Sequence, residues 1–154
     1  MKQDYKSKVI LDTCVLLRFF LNEEGADKVN EVLKKVEAEK VKGYVSVLTI
    51  TELIVILTRA VKNSDDLDEG IVWKCPDYVF KTLIIVPVSA DIAIIAAKYK
   101  LRYTKKGEGK RGLSYVDGVI VGTAQKLESS LLTYDPEFTG IEEVEIVSPE
   151  KFSG

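Results

Sequence analysis

Short apolar runs separated by longer amphipathic stretches recur along the chain. The first is Val9-Ile10-Leu11-Asp12-Thr13-Cys14-Val15-Leu16-Leu17. A run this apolar predicts a strand buried on both faces, as strands of a parallel sheet are. A buried, unpaired carboxylate is too costly to sit inside such a strand. Asp12 is therefore placed just past it, at the carboxyl edge where open α/β sheets hold their ligands. The period then changes. Residues 16–21 read as an apolar helical turn. Residues 25–40 put Val29, Val32, Leu33 and Val36 on one helical face, with lysines and glutamates filling the solvated side.

Residues 43–48 read as a second strand. A helix follows with Ile50, Leu53, Ile54, Leu57 and Val61 at helical spacing and Glu52 in its first turn. Residues 63–74 are less regular and acid-rich; Asp65, Asp66, Asp68 and Glu69 lack the spacing of a calcium loop. Ile71, Val72, Trp73, Tyr78, Val79 and Phe80 cluster around Pro76, as core or as a partner surface. A third strand spans 83–88, and Ser89 or Asp91 caps a helix over 91–101. Ser114 opens the next helix, whose Gly118 and Gly122 share a face and allow close backbone approach. Strands follow at 130–133 and, as an edge strand, at 145–147. The alternation predicts an α/β fold, a mainly doubly wound parallel sheet with right-handed crossovers. A chain of 154 residues suits one domain, 1–154.

Composition narrows the chemistry. With 46% hydrophobic and 30% charged residues, the chain reads as a soluble globular protein. Its polar start and the lack of an apolar run of about 18 residues argue against a membrane span or secretory leader, which implies the cytoplasm. Cys14 and Cys75 follow no metal spacing and read as reduced. There is no histidine, which excludes a Ser-His-Asp triad, a His-ligated zinc and a histidine base. A net charge of −2 argues against wholesale adhesion to nucleic acid. A local basic run remains, with Lys98, Lys100, Arg102, Lys105, Lys106, Lys110 and Arg111 among glycines and Tyr99 and Tyr103. It reads equally as a solvated loop or as a phosphate-contacting strip, with Lys105, Lys106, Lys110 and Arg111 as the candidate contacts.

Four acids stand at corresponding ends of elements. Asp12 and Asp135 each follow a strand, and Glu52 and Asp117 each open a helix. Taken singly, Thr49-x-x-Glu52 and Ser114-x-x-Asp117 are capping-box patterns, and Asp12 and Asp135 are turn residues. Taken together, the topology brings all four to one end of the sheet. Two carboxylates about 4 Å apart repel by roughly 4 kcal/mol at an effective dielectric near 20. A cluster of four calls for a cation or for raised pKa values. Oxygen-only ligands suit Mg²⁺ or Mn²⁺, ions that serve phosphoryl chemistry by activating water and steadying phosphate charge.

Four segments in series carry a family resemblance: Val9-Ile10-Leu11-Asp12-Thr13; Val45-Ser46-Val47-Leu48-Thr49-Ile50-Thr51-Glu52-Leu53; Ser114-Tyr115-Val116-Asp117-Gly118-Val119-Ile120-Val121-Gly122-Thr123-Ala124; and Leu131-Leu132-Thr133-Tyr134-Asp135-Pro136-Glu137-Phe138. In order and spacing the chain resembles the PIN-domain ribonucleases, most closely VapC-type toxins of toxin–antitoxin pairs. The resemblance implies a PIN-like three-layer α/β/α fold with a five-stranded parallel sheet in order 3-2-1-4-5. It implies Mg²⁺- or Mn²⁺-dependent cleavage of single-stranded RNA, with Asp12, Glu52, Asp117 and Asp135 as catalytic and metal-site acids. Thr13 and Thr133 stand where the family has supporting hydroxyls. Glu137 competes with Asp135 as fourth acid, and Asp135 is favoured. Gly118 replaces the usual Ala, and residues 62–78 match poorly. A small antitoxin protein and a second copy of the chain are the implied partners. The rival reading is a catalytically silent PIN-like module that binds RNA or protein. A dehalogenase-type phosphatase needs a second Asp where this chain has Cys14, and a cysteine phosphatase needs an Arg where it has Phe20.

Overall fold

In the computed structural model, which describes residues 8–103 and 112–153, alternate residues of the central strand β1 (Lys8–Leu11) face opposite cores. Val9 and Leu11 join one core and Ile10 the other, the period-2 partition of a strand covered on both sides. The neighbouring strands divide likewise. In β2 (Lys42–Ser46), Val45 turns to the first core and Tyr44 packs on the second; in β4 (Ser130–Leu132), Leu132 and Leu131 do the same. With β3 (Ile84–Val86) and β5 (Ile146–Val147) they form one sheet in order β3-β2-β1-β4-β5. All neighbouring pairs are parallel. This is the expected three-layer α/β/α arrangement.

Helices α1 (Thr13–Phe20), α2 (Ala26–Glu37), α3 (Val47–Lys62) and α4 (Ile71–Thr82) supply the first core. The valines and leucine expected on α2, Val29, Val32, Leu33 and Val36, are all buried there. Helices α5 (Ala90–Arg102) and α6 (Tyr115–Leu127) cover the other face. Ser89, one of two expected caps, caps α5: its hydroxyl accepts from the Ile92 amide at 3.2 Å. No helix among the described residues is long and apolar enough to cross a membrane. Cys14 and Cys75 are both free thiols. Lys105, Lys106, Lys110 and Arg111 lie outside the described residues.

Two local readings are corrected. Strand β2 stops at Ser46 rather than 48, because the Ser46 hydroxyl accepts from the Leu48 amide at 3.3 Å and caps α3. Glu52 therefore sits in the second turn of α3, and the pattern from Thr49 to Glu52 is not its cap. Thr49 is instead fully buried, its Oγ1 without a hydrogen-bond partner. β-Branched residues suit strand and buried helix alike, so the boundary rests on the capping hydroxyl. The cluster around Pro76 is helical. Pro76 lies inside α4, where Val72, Cys75 and Val79 are buried while Trp73 and Phe80 point to solvent. As the sixth residue of the helix, Pro76 forfeits the bond its amide would have made to the Val72 carbonyl, and the burial of Val72, Cys75, Pro76 and Val79 offsets that loss. In addition, Pro149–Ser153 forms a short α7 anchored by buried Phe152.

Helices α5 and α6 pack backbone to backbone. A Cβ at Gly118 would lie 3.0 Å from the Ala96 carbonyl oxygen, and one at Gly122 would lie 3.2 Å from both Ala96 N and the Ile92 oxygen. Rigid main chain cannot yield there. Gly122→Leu is expected to separate the helices and cost about 1–3 kcal/mol. Thermal unfolding followed by circular dichroism should show a Tm lower by several degrees; an unchanged melt contradicts the close approach.

Candidate active site

Parallel strands all end at one rim, and helices that follow them begin there. Asp12 ends β1 and caps α1: its Oδ1 accepts from the Thr13 amide at 2.9 Å. Its own amide continues the sheet ladder by donating to the Leu132 carbonyl at 3.0 Å. Its Oδ2 accepts from the Thr133 hydroxyl at 2.8 Å and from the Cys14 thiol at 3.2 Å. Asp12 is only 6% exposed. Burial raises its pKa, the Thr133, Cys14 and Thr13 bonds oppose that rise, and the charge of Asp135 adds to it.

Thr13 ties a second acid to the first. Its hydroxyl donates to Glu52 Oε1 at 2.8 Å, spanning 39 residues of sequence. Glu52 is partly buried, and burial raises its pKa; the Thr13 bond acts against this and the Asp12 charge with it. Thr133 ties a third. Its hydroxyl accepts from the Asp135 amide at 3.0 Å while donating to Asp12. Asp135 caps the short 3-10 turn Pro136–Phe138, its Oδ1 accepting from the Glu137 amide at 2.9 Å. Glu137 thus meets Asp135 through its main chain, and it is Asp135 whose charge acts on Asp12 and Asp117.

Asp117 completes the rim from the opposite face of the sheet. Helix α6 runs antiparallel to the strands, so its first turn lies at their carboxyl edge. Ser114 caps it, its hydroxyl accepting from the Asp117 amide at 3.0 Å. Burial pushes the Asp117 carboxyl up to about 6, and the Ser114 bond works against the shift. The charges of Asp12, Asp135 and Glu52 all push it further up. The structure thus brings all four candidate acids into one electrostatic neighbourhood. Among the described residues, none of the four forms an ion pair.

The rim is open rather than closed. No group of three or more acidic, Cys or His side chains among the described residues encloses a cation-sized point. Hydrogen-bond donors steer Asp12, Glu52 and Asp135 separately. The donor set still fits a hard divalent cation. It offers oxygens, and a carboxylate that accepts two or three hydrogen bonds retains lone pairs.

The residue missed from sequence is Cys14. Its thiol, pushed up to about 12 by burial and then by the Asp12 charge, stays protonated and donates to Asp12. The available signal was position: once Asp12 is a helix cap, the first turn of that helix lies beside its carboxylate.

A family model described as "PIN domain" matches residues 9–144. No curated protein is matched. Among solved structures, the chain is similar to a toxin–antitoxin complex from Klebsiella pneumoniae at 22% identity and a TM-score of 0.64, covering 92% of this chain and 97% of that one. It is similar to VapBC2 from Rickettsia felis, solved with a promoter DNA fragment, at 16% identity and a TM-score of 0.68, covering 92% and 98%. It is also similar to Mycobacterium tuberculosis VapC20, a sarcin–ricin-loop-cleaving toxin, at 16% identity and a TM-score of 0.62, covering 88% and 98%. At these identities the likeness is one of fold.

An acid whose pKa rises on folding binds its proton more tightly in the native state. The stabilisation this gives is complete below the unfolded pKa and lost as pH rises through the folded one. For Asp117 that window runs from about 4 to about 6. In EDTA, Asp117→Asn should melt above the wild type at pH about 7, with the gap narrowing towards pH about 4. Melting curves across that range measure it, and a gap that widens on acidification contradicts the shared field.

Proposed function

The chain belongs to the PIN-domain family, and from that premise we propose that it is a metal-dependent endoribonuclease hydrolysing phosphodiester bonds of single-stranded RNA. The observation that carries the reading is Asp117, raised to about 6 by burial and then by three neighbouring carboxylates, with none of the four paired to a Lys or Arg among the described residues. Structural acids are ordinarily neutralised by partners; acids left facing one another mark a site that handles cations or protons.

Asp12, Asp117 and Asp135 would hold Mg²⁺ or Mn²⁺, with Glu52 beside them. When bound, such an ion lowers the pKa of water and offsets charge on the scissile phosphate. The chain's own residues do the rest. Thr133 and the Thr13 amide fix the two oxygens of Asp12. The Thr13 hydroxyl fixes Glu52, which we assign to positioning the attacking water. Lys105, Lys106, Lys110 and Arg111 are assigned to the RNA backbone on their charge.

The toxin reading rests on the neighbours solved as toxin–antitoxin assemblies. It assigns a small antitoxin protein and a second copy of the chain as partners, and the cytoplasm as location. The exposed Trp73 and Phe80 of α4 are where such contacts are assigned.

The test is cleavage of a single-stranded RNA with Mg²⁺ or Mn²⁺, with and without EDTA. Asp12→Asn should lower the rate by at least about 100-fold, and Thr133→Val by about 10- to 100-fold through lost orientation. Equal rates for wild type and Asp12→Asn reject the assignment. Cleavage that survives EDTA removes the metal. Binding without cleavage selects the silent module instead.

A further inference from the structure

We propose that Tyr115 is a stacking platform for a nucleobase of the RNA strand next to the acidic rim, held in place by Lys100. The inference rests on the ribonuclease reading and adds a substrate-positioning residue to it.

Four observations meet at this side chain. Tyr115 is 78% exposed, whereas an aromatic ring ordinarily buries most of its surface. It opens α6 two positions before Asp117, in the same first turn of the helix. It is not needed to start the helix, because Ser114 already supplies the cap. The ring is nonetheless held: Lys100 Nζ lies 4.5 Å from its centroid and donates to the Leu113 carbonyl at 2.9 Å. A cation–π contact from α5 thus orders the ring without covering it.

The charge balance of the rim says what such a ring is for. Four carboxylates with no ion pair among the described residues repel a phosphate chain, so affinity for RNA is sought at the flanks. Unstacked bases of single-stranded RNA have apolar π-faces, and proteins capture them on exposed aromatic side chains beside cations. Tyr115 with Lys100 offers both within one helical turn of Asp117. A base seated there carries its own backbone towards the acids.

The test separates this claim from cleavage. Binding of a fluorescently labelled single-stranded RNA is measured by anisotropy in EDTA, using the full chain, for wild type, Tyr115→Phe and Tyr115→Ala. The RNA is used intact and with single abasic sites placed at successive positions. Tyr115→Phe should bind as wild type. Tyr115→Ala should bind about tenfold more weakly, the change expected for about 1.4 kcal/mol of lost stacking. One abasic position should weaken the wild type and leave Tyr115→Ala unaffected. Binding by Tyr115→Ala within twofold of wild type, or losses that do not depend on base position, overturns the proposal alone. No RNA binding by the wild type overturns the proposal, while the ribonuclease reading stands or falls on the cleavage assay with Mg²⁺ or Mn²⁺. Melting curves of the variants should match the wild type, because the ring is exposed.

Discussion

Like charges in a medium of low dielectric repel, and this fold turns four carboxylates to one rim where the charges of Asp12, Asp135 and Glu52 all act on Asp117, with no ion pair to any of the four among the described residues. What makes that tolerable is visible in the hydrogen bonds. Main-chain amides, two threonine hydroxyls and one thiol donate to the acids. All are neutral donors, so they orient charge without cancelling it. Asp12 and Asp117 also stand at the N-terminal turns of α1 and α6, where the helix dipole favours negative charge. Burial first, and then the charges of the neighbouring acids, raise the pKa values of Asp12, Glu52 and Asp117.

The rest of the molecule serves that rim by rigidity. Buried β1 and β4 fix Asp12 and Thr133 in neighbouring register, with the Asp12 amide bonded to Leu132. The Thr133 hydroxyl then connects Asp12 to the Asp135 amide, so two loops move as one. Gly118 and Gly122 let α6 approach α5 closely enough to set Asp117 at the same edge. The same approach brings Lys100 of α5 against Tyr115. The proposed metal site and the proposed base platform therefore share one helix pair.

The strands were legible wherever a run of apolar residues ended in a polar one. The boundary between β2 and α3 was not, because Val47 and Leu48 suit either element and the deciding group was the Ser46 hydroxyl. That shift moved Glu52 from the first turn of α3 to the second and, with it, away from a capping role. Helix α4 was obscured by Pro76, and α7 by its length of five residues, too short for any period to show. In α4, the apolar group that sequence left undivided is split by the helix: Val72, Cys75 and Val79 go inward, Trp73 and Phe80 outward.

Sequence alone determined the alternation of strands and helices, the absence of histidine, and the order in which four acids fall at element ends. Those follow from local pattern, since periodicity and chemistry are carried by neighbours in the chain. Tertiary structure alone decided that Thr13 reaches Glu52 and that Thr133 bridges Asp12 and Asp135. These contacts join residues up to 121 positions apart. The physical reason is that a hydroxyl's partner depends on where two folded segments cross, which no local period encodes.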